Sequence, residues 1–432
     1  MIRTTAICSL VFGCAVTLVR AQGPQPQFPQ AVPSNEPLVL TNGNVITIRN
    51  GLWIKNATVV LRDGKIESVQ AAQSGYTPPA GLRTIDLKGR YVLPGLIDAH
   101  AHIADFAAAR RALDSGVTTV RDAGVTAWVD VGLRDLVRSG AFAGPDILAT
   151  GYWIRPRLDQ DMFLTTPSLA PLMSGVQGPD AVRQVVRANL AHDVNWIKLF
   201  ASDAAGNGDP KRQFFSEAEL RAGVEEAAAK RVPVFVHSHN DDATIAAVRA
   251  GARCVEHGIF LTDVSLGLMK EKAVYYDPTY IDLATKAEES SNPTVKLRSK
   301  YQAFREEQTI RRAHQMGLKI VTGTDSSYVA NTTARIPREI AEFVRMGFTP
   351  LEALQSATII NAEMLGLDKG VLHKSTSGVG TIEPGFDADL LVVDDNPLDD
   401  ISVLQDPMLI VSKGRVVLNR VELNRRSARQ AE

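Results

Sequence analysis

Eight short apolar segments alternate with segments of helical character through the middle of this 432-residue chain. In order, they are GLIDAHAH (95–102), VTTVRDAG (117–124), DILATGYW (146–153), NWIKLFAS (195–202), VPVFVHSH (232–239), ARCVEHG (252–258), AVYYDPT (273–279) and KIVTGTD (319–325). Strands that alternate with helices form parallel sheets of the α/β class. Eight such units over roughly 280 residues match the size of a (β/α)8 TIM barrel. The competing fold, a doubly wound open sheet, commonly carries a Gly-rich phosphate loop after its first strand, and this sequence has none there.

The two ends of the chain predict a second, smaller unit. β-rich runs fill residues 38–93, where Asn-Gly at 42–43 and Asp-Gly at 63–64 are hairpin signals. Similar runs return near the C-terminus. We therefore expect an antiparallel sheet over 38–93 that joins residues 376–425 in a small β-sandwich built from both termini. Residues 94–375 would form the barrel.

The first 21 residues have the pattern of an export signal. A positive start at Arg3 precedes an apolar stretch over residues 6–19, and a small-residue cleavage site ends at Ala21. That stretch is too short to span a bilayer as a helix, and the later apolar segments are too short as well. We expect a secreted or periplasmic protein without membrane association after cleavage. Residues 22–37, rich in Pro and Gln, predict a flexible linker.

The charge pattern argues against a nucleic-acid partner. The formal net charge is −1 at pH 7, and the sequence has no basic cluster interleaved with aromatic residues. Removal of the signal would take away Cys8 and Cys14 and leave Cys254, so we expect no internal disulfide. The expected partners are a small-molecule substrate and further copies of the chain in a homo-oligomer.

Metal-binding and ionisable residues stand at or near the carboxyl ends of five predicted strands. They are His100, His102, Lys198, His237, His239, His257 and Asp325. Catalytic residues of TIM barrels lie at that end, so these side chains would converge on one mouth. Residues two apart share one face of a strand, and His100 and His102 should therefore point the same way. Imidazole and carboxylate are ligands for zinc-like cations. A single strand-end histidine is commonly a satisfied polar residue, but that explanation would have to hold separately at all five strands.

The sequence resembles the amidohydrolase superfamily of metal-dependent hydrolases. The segments GLIDAHAHI, IKLF, VHSH, VEHG and TGTD occur in the order that the family shows, and PREIAEFVRMGFTPLEALQSATIINAEMLGL and GTIEPGFDADLLVVD resemble it as well. Within the superfamily, the chain is similar to the imidazolonepropionase-related branch, which includes secreted Xaa-Pro dipeptidases and ochratoxin-type amidases. The resemblance covers residues 38–420.

This resemblance implies a site that holds two divalent metal ions. His100, His102 and Asp325 would bind the first ion, and His237 and His257 the second. Ligands of nitrogen and carboxylate without thiolate favour zinc.

The resemblance also implies that Lys198 is carboxylated by carbon dioxide and bridges both ions. A bridging hydroxide would attack the substrate, and Asp325 would act as general base and then general acid. His239 shares a strand face with His237 and is the alternative ligand, although the family pattern favours His237. Imidazolonepropionases lack the bridging lysine, so Lys198 counts against that particular activity.

The leading interpretation is hydrolysis of a C–N amide bond in a dipeptide, such as Xaa-Pro, or in an N-acyl amino acid. Lactone or phosphotriester hydrolysis, a mononuclear cyclic-amide hydrolase and a non-catalytic binding relative are the alternatives. Four residues near the mouth are candidates for substrate binding: His239, Tyr152, Arg155 and Tyr280. For the arginine, a solvated loop charge is an equally open explanation.

Overall fold

The computed structural model describes residues 36–71, 81–205, 208–368 and 378–422. The predicted signal peptide and most of the predicted linker lie outside these ranges. The strands are β1 (Leu38–Ile46), β2 (Trp53–Arg62), β3 (Lys65–Gln70), β4 (Arg83–Asp86), β5 (Tyr91–Pro94), β6 (Leu96–Ala101), β7 (Val117–Asp122), β8 (Asp146–Leu148), β9 (Ile197–Phe200), β10 (Val234–Ser238), β11 (Cys254–His257), β12 (Tyr275–Asp277), β13 (Leu390–Val393), β14 (Leu409–Ser412) and β15 (Arg415–Asn419).

The helices lie mainly between β6 and β13. They are α1 (Phe106–Asp114), α2 (Val129–Arg138), α3 (Gln160–Thr165), α4 (Pro179–Leu190), α5 (Glu217–Ala228), α6 (Asp241–Ala250), α7 (Asp263–Glu271), α8 (Tyr280–Glu289), α9 (Pro293–Gln315), α10 (Ile336–Arg345), α11 (Pro350–Ser356) and α12 (Ile359–Leu365). Among the helices of the described residues, none has both the length and the apolar character that crossing a bilayer requires. Helix α5 begins with a capping box between Ser216 and Glu219.

Strands from both ends of the chain share one eight-stranded sheet. Its order is β15-β14-β13-β5-β1-β2-β3, and β4 pairs with β1. β4 and β5 run parallel to β1, so this sheet is mixed rather than antiparallel as we expected. The chain between β1 and β4 includes the β2–β3 hairpin, and a connection of that length permits the parallel pairing of β1 with β4. The second layer of the predicted sandwich and the domain boundaries remain predictions.

The two predicted hairpin signals have different outcomes. Asp63 and Gly64 form a two-residue turn between β2 and β3, with positive φ angles of 50° and 75°. Positive φ at both positions is what a type I′ hairpin requires. Asn42 and Gly43 instead lie within β1, where the register with β2 shifts, so the prediction of a turn there was wrong. A Cβ atom on Gly43 would lie 2.8 Å from the Leu87 side chain, and this close approach explains the glycine.

Seven of the eight predicted parallel strands form two sheets. β6, β7 and β8 make a three-stranded sheet, and β9 to β12 make a four-stranded sheet. At the junction between them, the backbone N–H of Ile154 donates to the carbonyl of Lys198 and that of Phe200 donates to Ile154, both at 2.9 Å. The sheets are therefore linked there through one residue rather than through a regular ladder.

The eighth predicted strand, residues 319–325, forms no regular ladder, and neither does Ser326 after it. Tyr276 of β12 exchanges two backbone hydrogen bonds with it, at 3.0 and 2.9 Å. On its other side, the N–H groups of Ala99 and His102 donate to it at 3.0 and 2.9 Å. These hydrogen bonds connect the segment to β12 on one side and to β6 and the residue after it on the other.

The mixed sheet contacts the rest of the protein through one of its faces. In β13, Leu391 and Val393 belong to the large apolar cluster that includes the barrel helices, whereas Leu390 and Val392 belong to a cluster within the sheet region. This alternation follows from the two-residue period of a strand. It anchors the C-terminal strands against the segment in which the candidate site lies.

Candidate metal centre

Two histidines at the end of β6 face the carboxylate of Asp325. The Nε2 atom of His100 lies 3.4 Å from Asp325 Oδ1, and the Nε2 atom of His102 lies 3.0 Å from the same oxygen. His100 is buried, whereas His102 and Asp325 keep 24% and 25% of their side-chain surface exposed. The two rings point to one place, as the strand alternation predicts, and that place is reachable from solvent.

The other ring nitrogen of each histidine is already engaged. Nδ1 of His100 donates to the Oε2 atom of Glu256 at 2.6 Å, and Nδ1 of His102 donates to the carbonyl of Gly124 at 2.7 Å. In a neutral imidazole, one nitrogen carries the proton and the other carries a lone pair. Both Nε2 atoms therefore direct lone pairs at the Asp325 oxygen. That arrangement is repulsive unless a cation or an additional proton lies between them.

The spacing of these atoms fits a shared cation. Ligand atoms about 2.0–2.2 Å from a zinc-like ion are roughly 3.0–3.5 Å from one another at ordinary coordination angles, and the observed separations are 3.0 and 3.4 Å. His100, His257 and Asp325 offer ligand atoms that all lie within 4.8 Å of one another. Imidazole and carboxylate donors suit a divalent cation such as zinc.

Asp325 reaches this position through an unusual backbone conformation. Its φ angle is +53°, in the left-handed region, and its N–H donates to the carbonyl of His100 at 2.7 Å. Burial would raise the pKa of the Asp325 carboxyl, but hydrogen bonds from His100 and His102, once these rings carry the additional proton at Nε2, outweigh burial and hold that pKa well below its usual value. The group is therefore a carboxylate, ready to act as a ligand or as a base.

Lys198 of β9 lies buried beside His100. Its Nζ atom is 3.4 Å from His100 Nε2 and faces the ring of Phe235 at 4.8 Å. Burial lowers the pKa of Lys198 to about 8, although the charges of Glu256 and Asp325 oppose this effect. An amine with such a pKa is partly unprotonated near neutral pH, and the unprotonated amine is the reactive form.

Three more histidines from β10, the residue after it and β11 complete the group. The ring centroid of His237 lies 4.5 Å from those of both His239 and His257. Nδ1 of His257 forms a 2.8 Å hydrogen bond with the Thr279 hydroxyl. Within the described part of the chain, His237 Nε2 and His239 Nδ1 are buried without a hydrogen-bond partner. Burial lowers the pKa of the His237 and His239 rings, that of His239 to about 3. Both rings are therefore neutral and can act as metal ligands. The choice between His237 and His239 as a ligand stays open.

An ion-pair network that we did not anticipate from the sequence lies beneath the centre. The buried guanidinium of Arg121 lies 2.8 Å from Glu256 and 3.5 Å from Asp277. Burial would raise the pKa of Glu256, but the charge of Arg121 and the hydrogen bond from His100 have the larger effect. The pKa is therefore below its usual value, and the carboxylate stays ionised. Charged residues inside apolar strand segments, such as Arg121 in VTTVRDAG, are the sequence signal that would have identified the network.

A second group of potential ligands is better explained by this network. His100, Glu256 and Asp277 also offer atoms within 4.8 Å of one another. Arg121 already supplies the positive charge that two buried carboxyl groups require. We therefore interpret this group as support for the metal centre rather than as a further site.

Three of the predicted substrate-binding residues have structural partners. The Tyr152 hydroxyl donates to Asp161 at 2.8 Å, and the Tyr280 hydroxyl accepts a 3.2 Å hydrogen bond from Arg345. Arg155 forms an ion pair with Asp159 on its own loop. His239 lies within the histidine group itself. A substrate role for each of the four remains a prediction.

Comparison with known proteins identifies the family of this chain. The sequence pattern of the amidohydrolase family matches residues 91–417, a span that includes all of the candidate ligands. The chain belongs to the amidohydrolase family. Members of this family are in general metal-dependent, which agrees with a carboxylate and imidazole centre at the strand ends.

Several relatives extend over most of the chain. Ochratoxinase from Aspergillus niger is 27% identical over 409 residues, which span 84% of this chain and 82% of that protein. The crystal structure of a Xaa-Pro dipeptidase with bound methionine has a TM-score of 0.76 and 26% identity, and covers 88% of this chain and 99% of that one. A putative prolidase from Bifidobacterium longum has a TM-score of 0.76 and 28% identity, with coverage of 91% and 99%.

These relationships confirm the family resemblance that the strand-end motifs predict. They support a TIM-barrel fold of the α/β class for the middle of the chain. The protein is therefore an amidohydrolase, a hydrolase that acts on C–N bonds of the amide type.

The network beneath the centre yields a prediction about stability. Glu256→Gln should leave Arg121 without its carboxylate at 2.8 Å, and breaking a buried pair costs about 3–5 kcal/mol. Urea denaturation of the purified variant measures this loss. The control is Glu67→Gln, which removes the exposed partner of Arg62 at 2.9 Å and should change the unfolding free energy by less than about 1 kcal/mol. Equal effects of the two substitutions would contradict the structural role of Glu256.

Proposed function

We propose that this amidohydrolase uses two divalent metal ions to cleave the amide bond of a dipeptide, such as Xaa-Pro, or of an N-acyl amino acid. The observation that carries the proposal is the pair of Nε2 lone pairs, from His100 and His102, that face one Asp325 oxygen at 3.4 and 3.0 Å. Their Nδ1 protons are committed to Glu256 and Gly124. A cation relieves the resulting repulsion.

In this proposal, His100, His102 and Asp325 hold one ion, and His237 and His257 hold the other. The buried nitrogen of His237 that lacks a hydrogen-bond partner among the described residues supports the second position. The donor set favours zinc for both ions. When bound, the ions would supply a hydroxide nucleophile near neutral pH and polarise the scissile carbonyl.

Lys198 would serve this centre as a carbamate. Carbon dioxide adds to an unprotonated amine, and burial brings the pKa of Lys198 to about 8, so a fraction of this amine is unprotonated at neutral pH. The nitrogen releases one proton, and the product carries a carboxylate whose two oxygens share one negative charge at the end of a long stem. An ammonium group 3.4 Å from the His100 nitrogen would instead repel a cation there. Carboxylation therefore converts a residue that opposes metal binding into one that supports it.

Asp325 would move the proton in the reaction. Its carboxylate accepts the proton of the attacking nucleophile and then donates it to the nitrogen of the leaving amine, so that the amide and water give a carboxylic acid and an amine. In the proposed centre, the positive charge of the cation that Asp325 shares with both histidines would keep the carboxylate ionised before the reaction. Its 25% exposure gives it access to the substrate.

The names of the relatives support this substrate class. They are an ochratoxinase, a Xaa-Pro dipeptidase and a putative prolidase. Lactone and phosphotriester hydrolysis remain the alternatives, since the same nucleophile attacks those groups. The presence of Lys198 disfavours a mononuclear cyclic-amide hydrolase.

We further propose that the eight βα units close into one barrel, with a sandwich over residues 38–93 and 376–425. The backbone hydrogen bonds at Ile154 and along residues 319–326, which bridge the regular sheets, support closure. The chain would assemble into a homo-oligomer.

A substrate screen tests the proposed function directly. Protein loaded with zinc and bicarbonate should hydrolyse dipeptides or N-acyl amino acids faster than lactones or phosphotriesters, as measured by release of the free amine or acid. A preference for lactones or phosphotriesters would reverse the order of the two candidate functions. Activity on none of these compounds would contradict the proposal.

A second test concerns the bridging lysine. Wild-type protein labelled with carbon-13 bicarbonate should show a carbamate resonance by NMR, and its intensity should rise with pH as the amine deprotonates around pH 8. Lys198→Ala should lose the resonance, bind fewer than the two zinc ions expected for the wild type and lose activity, which short carboxylic acids should partly restore. The exposed Lys272 provides the control substitution Lys272→Ala. Two bound ions and normal rates in Lys198→Ala would refute the bridge.

Export is a separate proposal that rests on the N-terminal sequence. The mature chain should begin near Gln22, after cleavage at Ala21. N-terminal sequencing of protein from the cells that naturally produce it provides the measurement. Recovery of the intact chain from the cytoplasm, with Met1 or Ile2 as its first residue, would rule out cleavage.

A further inference from the structure

The beginning of α8 is fixed beside the metal centre. Thr279, the residue before this helix, forms the 2.8 Å hydrogen bond with His257 Nδ1. The buried carboxylate of Glu339 accepts hydrogen bonds from the backbone N–H groups of Tyr280 and Ile281, at 2.9 and 2.6 Å. The first turn of α8 is therefore held in place next to a candidate ligand, and the side chains of its next turn have a defined position.

Asp282 and Lys286 form an ion pair on this helix. The Lys286 Nζ atom lies 2.5 Å from Asp282 Oδ2, and the side chains are 51% and 19% exposed, respectively. Burial and the negative charge of Asp325 raise the pKa of Asp282 to about 6. Burial lowers the pKa of Lys286, but the charges of Asp282 and Asp325 outweigh burial and raise it. The charge of Asp325 thus acts on both groups, and the Lys286 side chain is open to solvent.

Other cations near the mouth are less suited to receive a new anion. Arg155 is paired with Asp159 and packs over the Trp153 ring, with its guanidinium carbon 5.4 Å from the ring centroid. Lys198 is buried beside His100. Lys286 combines solvent access with a flexible stem, and its ammonium group has three donors, of which Asp282 uses one.

We propose that Lys286, oriented by Asp282, binds the free carboxylate of the substrate. This inference rests on the proposed function and deepens it. In a dipeptide or an N-acyl amino acid, a carboxylate lies one residue beyond the scissile amide. A cation on the helix that follows β12 can hold that carboxylate while the amide lies at the metal centre. Lys286 would then restrict the enzyme to substrates in which the cleaved bond precedes the last residue.

Paired substrates separate this role from a general structural one. Wild-type enzyme should cleave alanyl-proline with a lower KM than alanyl-prolinamide, which lacks the charge. Lys286→Met should raise the KM for alanyl-proline about 10–100-fold, the range expected for a lost hydrogen bond to a charged group, and should leave the KM for the amide unchanged. Lys286→Arg should recover part of the preference. Lys272→Met is the matched control, because Lys272 is 52% exposed and paired with Glu271 at 2.9 Å.

Calorimetry with L-proline and L-prolinamide gives a readout that does not depend on turnover. The metal-loaded wild type should bind L-proline more tightly than L-prolinamide, and Lys286→Met should remove the difference. If the metal-loaded wild type does not cleave dipeptides or N-acyl amino acids, yet prefers L-proline to L-prolinamide through Lys286, the proposed function is overturned and the role of Lys286 is supported. An equal effect of Lys286→Met on both members of a pair, or no effect on either, would overturn the role of Lys286 while the proposed function stands.

Discussion

The placement of one proton on each of two histidines determines the chemistry of the whole centre. The Glu256 carboxylate and the Gly124 carbonyl accept hydrogen bonds from the Nδ1–H groups of His100 and His102, respectively. Their Nε2 lone pairs consequently meet at Asp325, and without these two acceptors either ring could turn a proton toward the carboxylate instead. Two histidines at a strand end do not by themselves indicate a metal site. Here hydrogen bonds to Nδ1 fix the tautomer of both rings, and this arrangement is suited to bind a cation through the two Nε2 atoms.

The support for this arrangement is itself unfavourable for stability. Arg121, Glu256 and Asp277 are all buried, and burial of charged groups is compensated only when they are well paired. Both carboxyl oxygens of Asp277 are buried and lack a hydrogen-bond partner among the described residues, and burial raises the pKa of this group well above its usual value. The rings of Phe235 and Trp196 pack on the Arg121 guanidinium, with its central carbon 3.9 and 5.1 Å from their centroids, and offset part of the desolvation of that cation. An apolar barrel interior would be more stable and would leave His100 without a fixed tautomer.

The sequence predicted those features that depend on local pattern. The short apolar segments located β6 to β12, and the alternation along a strand correctly placed His100 and His102 on one face. Features that depend on distant residues were not predictable in this way. Arg121 and Glu256 are 135 positions apart in the chain, and neither residue's own segment indicates the pairing. The Asn-Gly signal at 42–43 failed for a related reason, because contacts with β2 and with Leu87 turned a potential hairpin into an irregularity within β1.

The irregular eighth segment illustrates how the site and the fold constrain each other. Two consecutive N–H groups, of Thr324 and Asp325, donate to the single carbonyl of His100 at 3.1 and 2.7 Å, which a regular ladder does not allow. The left-handed φ of Asp325 causes this bend, and it turns the carboxylate toward both histidines. A Cβ atom on Gly323 would lie 2.6 Å from that of His100, so only glycine permits the segment to approach β6 so closely. His257, with a φ of +69°, shows the same departure at the end of β11. Regular strand pairing thus stops at the candidate ligands. A fully extended backbone would direct the side chains of Asp325 and His257 to the strand faces rather than toward a common point.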